Sequence, residues 1–244
     1  MTTSPAPIPH RHARHPLVLV SLIVLAFAAA TVGIVVAARH TGTSSTFSSG
    51  VKGSGVPATQ ARTLAAFTAV DLAGSNNVTV HVGDTQTVTV RGDDNLIRYV
   101  TTTVQDGTLA VGQSRNFSTT SPMSVVITVP ALDAATLSGA GVLTVTGVAA
   151  DHFTVRAPGS GVLVVTGTAT TLDATLSGTG DVRLDGLAAH DATATVSGTG
   201  RLLVNASHSL DATVSGVGSI LYTGNPTTVT KNVTGTGSIT GSQG

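Results

Sequence analysis

A glycine-cornered motif returns at almost constant spacing through the C-terminal half of the chain, and few folds accommodate such a rhythm. The segments are LSGAGVLTVTG from Leu137, PGSGVLVVTG from Pro158, LSGTGDVRLDG from Leu176, VSGTGRLLVNA from Val196, VSGVGSILYTG from Val214 and VTGTGSITG from Val233. Their second glycines are Gly141, Gly161, Gly180, Gly200, Gly218 and Gly237, separated by 20, 19, 20, 18 and 19 residues. A fixed period of this length marks a chain that coils into stacked, similar turns, each touching only its neighbours.

Two and four residues beyond these glycines lie Leu143 and Val145, Leu163 and Val165, Val182 and Leu184, Leu202 and Val204, and Ile220 and Tyr222. Ahead of the corners, Ala135 and Leu137, Ala174 and Leu176, Ala194 and Val196, and Ala212 and Val214 share the same parity, with Thr136, Thr175, Thr195 and Thr213 between them. Alternation with a period of two places one set in a core and the other in solvent. One repeat therefore reads as a strand, an S-G-x-G corner, a second strand and a variable turn such as LAAHD or GNPTT. Glycine at the corner serves positive φ or close backbone approach. Copies stacked in parallel at ~4.8 Å bury a continuous apolar column. The expected fold class is all-β, a β-helix or β-solenoid with repeats of about 19 residues. No six-residue sub-period supports a hexapeptide left-handed helix.

Composition agrees. All 12 acidic residues are Asp, lysine occurs only as Lys52 and Lys231, and the chain lacks cysteine. Strong helix formers are thus scarce, while Thr, Val and Gly suit strands and turns. Disulfides, thiolate metal sites and cysteine nucleophiles are excluded. A formal net charge of +0 gives no electrostatic case for nucleic acid.

Residues 17–38, LVLVSLIVLAFAAATVGIVVAA, form an uncharged apolar run long enough to cross a bilayer core of ~30 Å as one helix. Arg11 and Arg14 precede it, so the positive-inside rule puts residues 1–16 in the cytoplasm and the chain beyond residue 38 outside, although Arg39 weakens the asymmetry. A cleaved signal peptide is the competing reading, with an apolar region of only ~7–15 residues. Residues 39–64, rich in Gly, Ser and Thr, read as a flexible tether, and 65–241 as the solenoid. The expected placement is a single-pass protein of the cell membrane with its C-terminal domain extracytoplasmic. At the far end Lys231 stands where earlier repeats carry Ala, and Gly241 replaces an inward apolar residue. A final repeat that turns polar is an end cap.

Ahead of the repeats, residues 67–129 are rich in strand patterns and read as opening turns or a capping sheet. They carry, in order, Phe67 and Val70, Asn77-Val78-Thr79-Val80, Gly83-Asp84, Val88-Thr89-Val90, Gly92-Asp93-Asp94-Asn95-Leu96 and Asp106-Gly107-Thr108-Leu109. That order resembles the family described as putative auto-transporter adhesin, head GIN domain, over roughly residues 65–240. The resemblance implies a bacterial, right-handed parallel β-helix with a role in adhesion, and it brings no catalytic residues.

The chemistry-bearing residues give no catalytic, cofactor or metal site at this level. Arg91-Gly92-Asp93 spells an integrin-binding tripeptide but sits where a strand meets a turn. Asp93, Asp94 and Asn95 offer oxygens without the 12-residue loop of a calcium hand. His152 beside Asp151, and His190 beside Asp191, fall in the expected turns. Ser138, Ser177, Ser197 and Ser215 are corner residues without a G-x-S-x-G elbow. Asp181, Arg183, Asp185 and Arg201 form only a sparse charged patch. Val142, Val162, Val164, Leu203 and Leu221 are apolar on the outward parity. They read as a contact stripe or a surface covered by a loop. The function expected is a non-catalytic binding or adhesion module whose partner is a glycan or protein of the cell envelope. An envelope scaffold or signalling accessory docking another membrane protein is the alternative. A polysaccharide-processing enzyme ranks below both.

Overall fold

The computed structural model describes residues 50–119 and 122–242. Residues 1–16, the apolar run 17–38 and the first part of 39–64 lie outside the described residues. Among those described, no helix is long and apolar enough to cross a membrane.

The N-terminal strands are β1 (Val51–Lys52), β2 (Pro57–Arg62), β3 (Ala69–Leu72), β4 (Asn77–Val82), β5 (Thr87–Asp93), β6 (Val100–Gln105), β7 (Thr108–Gln113), β8 (Phe117–Ser118), β9 (Ser124–Val129) and β10 (Ala134–Leu137). The repeats then form β11 (Val142–Ala157), β12 (Val162–Leu176), β13 (Asp181–Val196), β14 (Arg201–Val214), β15 (Ser219–Thr223), β16 (Thr228–Val233) and β17 (Ser238–Gly241). From β10 onward every pairing is parallel, in a solenoid of about five turns.

The variable turn expected in each repeat is, in the central ones, paired strand. β11 meets β12 in three runs, 142–145, 148–150 and 152–157, so each of these central coils has three walls. In the LAAHD stretch Leu187 and Ala189 are buried, and Ala189 faces Ala206 of the next coil. Bulges make this possible, because an extra residue bends a strand without ending its ladder. β13 carries three residues between Leu184 and Ala188 that β14 lacks, and β14 carries one more than β13 before Ser209. The net difference of two is the difference between the 20- and 18-residue steps. The GNPTT stretch does turn, between β15 and β16.

The core is a set of columns running down the stack. Leu143, Leu163, Val182, Leu202 and Ile220 make one, and Phe153, Leu172, Ala192 and Leu210 another, all buried. Close approach, not backbone handedness, explains the corner glycines. A Cβ on Gly159, Gly178, Gly198, Gly216 or Gly235 would run into the carbonyl oxygen of the matching glycine one coil back. None of these five has positive φ, whereas Gly147 does (φ 80°), where the first wall of β11 bends into the second.

Both ends are closed. Lys231 takes the register of Ala212 and Gly241 that of Tyr222, and β16 and β17 are largely exposed. The lysine ammonium lies over the Tyr222 ring, 4.8 Å from its centre. At the other end β3 and β4 form a two-walled coil against β10 and the first wall of β11. The chain then runs outward, and β7 and β9 stack in parallel on the far side of that coil. Antiparallel strands finish the cap, β6 on β7, β5 on β9, and β2 on β5. The expected Asp106-Gly107 turn joins β6 to β7, with φ of 50° and 73°. Residues 67–129 thus supply both an opening coil and a capping sheet. Residues 50–62, expected in the tether, are partly strand: β1 pairs with β8 and β2 seals β5. Their polar composition suits an edge strand, which buries little.

Candidate functional site

The five residues of the expected stripe lie on the first wall. Val142 and Val162 are register partners, with Val164 two residues further along β12. Leu203 and Leu221 pair further down. Arg183 stands between Val164 and Leu203 in the same column. Its Nε and Nη2 donate to Asp181 Oδ2 at 2.9 and 2.8 Å. The stripe is therefore two apolar patches divided by an ion pair, with Arg201 in register beside Asp181. Only Val142 is exposed, at 38%; the other four are half-buried.

Gly92 and Asp93 end β5 as buried residues, and Thr119 Oγ1 donates to Asp93 Oδ2 at 2.7 Å. The Arg91-Gly92-Asp93 tripeptide consequently has no carboxylate to offer a receptor. Asp94 and Asn95 hold the N-terminal strap. Asp94 Oδ1 accepts from Ser54 Oγ at 2.5 Å, Asn95 Oδ1 from the Ser54 amide at 3.0 Å, and Asn95 Nδ2 donates to the Lys52 carbonyl at 2.9 Å. Of the corner serines, Ser138 donates to Asp71 Oδ1 at 2.7 Å, so its hydroxyl serves a carboxylate and not a base.

The densest chemistry is on the bulged corner between the second and third walls. Asp191 and Ser209 are register partners, and His190 and His208 precede them. The extra residue of β14 brings His208 beside His190, with ring centres 4.6 Å apart and planes inclined by 22°. His190 Nδ1 lies 2.8 Å from Asp191 Oδ2, and His208 Nδ1 lies 2.8 Å from Asp191 Oδ1. Ser209 Oγ also donates to Oδ1. The Ser209 hydroxyl first, then His208 and His190, hold the Asp191 carboxyl far below the usual carboxylate range. His152, in the same outward row two coils away, contacts Thr171 Oγ1 at 2.9 Å and Asp173 Oδ2 at 3.5 Å.

This arrangement is not a nucleophile and its base. In an acyl-transfer triad the imidazole lies between hydroxyl and carboxylate. Here the carboxylate is central, and the hydroxyl donates to it. Both imidazoles stand more than half exposed, so water is not excluded either. Two imidazole nitrogens and a carboxylate oxygen, all within 4.8 Å of one another, are donor types that metal sites use.

Residues 66–226 match the family described as putative auto-transporter adhesin, head GIN domain. The chain belongs to this family. A crystal structure of a putative adhesin from Bacteroides fragilis NCTC 9343 is similar to it at 25% identity and TM-score 0.64, covering 79% of this chain and 100% of that one. A putative lipid binding protein from Parabacteroides distasonis ATCC 8503 and a putative adhesin from Parabacteroides merdae ATCC 43184 share the fold. Each has 20% identity, TM-score 0.51 and 79% of this chain covered, with 99% and 98% of their own lengths. No curated protein matches the sequence.

Within this head GIN domain, sequence reading named His190 and Asp191 and missed His208 and Ser209. The pairs sit in LAAHD and NASHS, segments with no common motif, and only a bulge aligns them.

Proposed function

We propose that the protein is a non-catalytic adhesion module of a bacterial cell envelope, held at the membrane by residues 17–38 with its solenoid outside. Family membership over residues 66–226 carries the reading. The architecture supports it: in-register walls offer one outward side chain every ~4.8 Å, a rigid, repetitive surface suited to a repetitive ligand. The coil is taken as right-handed, the hand that parallel strand connections in a sheet adopt. Val142, Val162, Val164, Leu203 and Leu221, with the Asp181–Arg183 pair between them, form the proposed contact wall. With 3% aromatic residues and no Trp, its ligand is met through hydrogen bonds and small apolar contacts, not by ring stacking.

The test is retention of the purified whole chain on envelope material split into polysaccharide and protein fractions. Saturable retention on polysaccharide or on foreign cells, weakened by Val162→Lys, is expected. Capture of one membrane protein with no glycan retention refutes adhesion and favours the docking accessory. Release of the chain from membranes by high salt alone would refute the anchor.

A further inference from the structure

We propose that His190, Asp191 and His208 form a binding site for a borderline divalent transition metal of the Zn²⁺ type, bridging β13 and β14 on the outer corner of the solenoid. Three observations converge. One donor atom from each residue lies within 4.8 Å of the other two. Both imidazoles already aim Nδ1 at the carboxylate, each at 2.8 Å. Ser209 Oγ holds Asp191 Oδ1 and so orients the carboxylate, as an outer-shell partner does, while Oδ2, which now meets His190 Nδ1, is the oxygen an ion would take.

The geometry is close to what a metal requires. Metal–ligand bonds of about 2.0–2.2 Å in a tetrahedron set donor atoms roughly 3.4 Å apart. The two His side chains are 56% and 57% exposed, which leaves their rings room to reorient around an ion. The donor set decides the ion. Two imidazoles and one carboxylate suit Zn²⁺, Cu²⁺ or Ni²⁺, whereas Ca²⁺ and Mg²⁺ demand six or more oxygens. Three protein ligands on an open corner leave a coordination position facing solvent, available to a donor from outside the chain. The site stands on its own residues and does not depend on the adhesion reading.

The test uses the whole chain, with His10, His12, His15 and His40 changed to Ala because they lie outside the solenoid and would also chelate. Zn²⁺ alone is titrated by calorimetry, and one equivalent of Cu²⁺ is examined by electron paramagnetic resonance. One saturable Zn²⁺ equivalent is expected, unaffected by millimolar Ca²⁺, with a two-nitrogen splitting pattern from Cu²⁺. His208→Ala should weaken Zn²⁺ binding about 10- to 100-fold or more, and His152→Ala should leave it unchanged. No saturable Zn²⁺ uptake, or equal uptake by His208→Ala, overturns the site. Should His208→Ala fail to fold, the Cu²⁺ spectrum of the parent still decides, since fewer than two nitrogens refutes the assignment.

Discussion

Replacing Gly198 by alanine tests the claim that close backbone stacking, and not backbone handedness, selects the corner glycines. A Cβ there would overlap the Gly178 carbonyl oxygen and crowd the Ser177 carbonyl behind it. Neither can retreat, since the corner is fastened by Ser197 N–H to Leu176 O at 3.0 Å, Thr199 N–H to Gly178 O at 3.2 Å and Arg201 N–H to Gly180 O at 3.2 Å. Relief requires the coils to part, weakening about two of these bonds at about 1 kcal/mol each. Residual overpacking adds about 2 kcal/mol. Alanine returns roughly 0.4–1 kcal/mol by restricting the unfolded chain. The net loss is about 3 kcal/mol, or a fall in Tm of roughly 6–12 °C for a domain of this size. Thermal melting by circular dichroism measures it, with Thr199→Ala, exposed on the same corner, as control within about 0.5 kcal/mol. A Gly198→Ala protein melting within about 2 °C of the parent would refute the steric argument.

Phe153 is fully buried, the largest side chain in its column, above Leu172. Phe153→Ala should cost about 3–5 kcal/mol, read from the urea midpoint. Lys231→Val should change stability by less than about 1 kcal/mol yet promote end-to-end self-association, because it removes the charge that blunts the last edge. Sedimentation velocity over a concentration series checks this, and a strictly monomeric variant contradicts the cap.

The repeat period, the inward columns and the polar last coil were all legible in the sequence, because each is set by local alternation and by glycine spacing. Lys231 in place of Ala and Gly241 in place of Tyr222 could be read by aligning one repeat with the next, and the ladder pairs them so. What could not be read is whatever depends on residues dropping out of step between coils. The expected loop is paired as a second wall, with the three residues that β13 inserts before Ala188 taken up as a bulge, and the one that β14 inserts before Ser209 sets His208 beside His190. The change from a 20- to an 18-residue step records only the net count and not where the extra residues fall, so these placements belong to the tertiary structure. The same holds at the N-terminal end, where β3 and β4 pair with strands made after the capping sheet, a non-sequential order. Short-range chemistry determined that the chain would coil; the stacking of neighbouring coils decided which side chains meet on its surface.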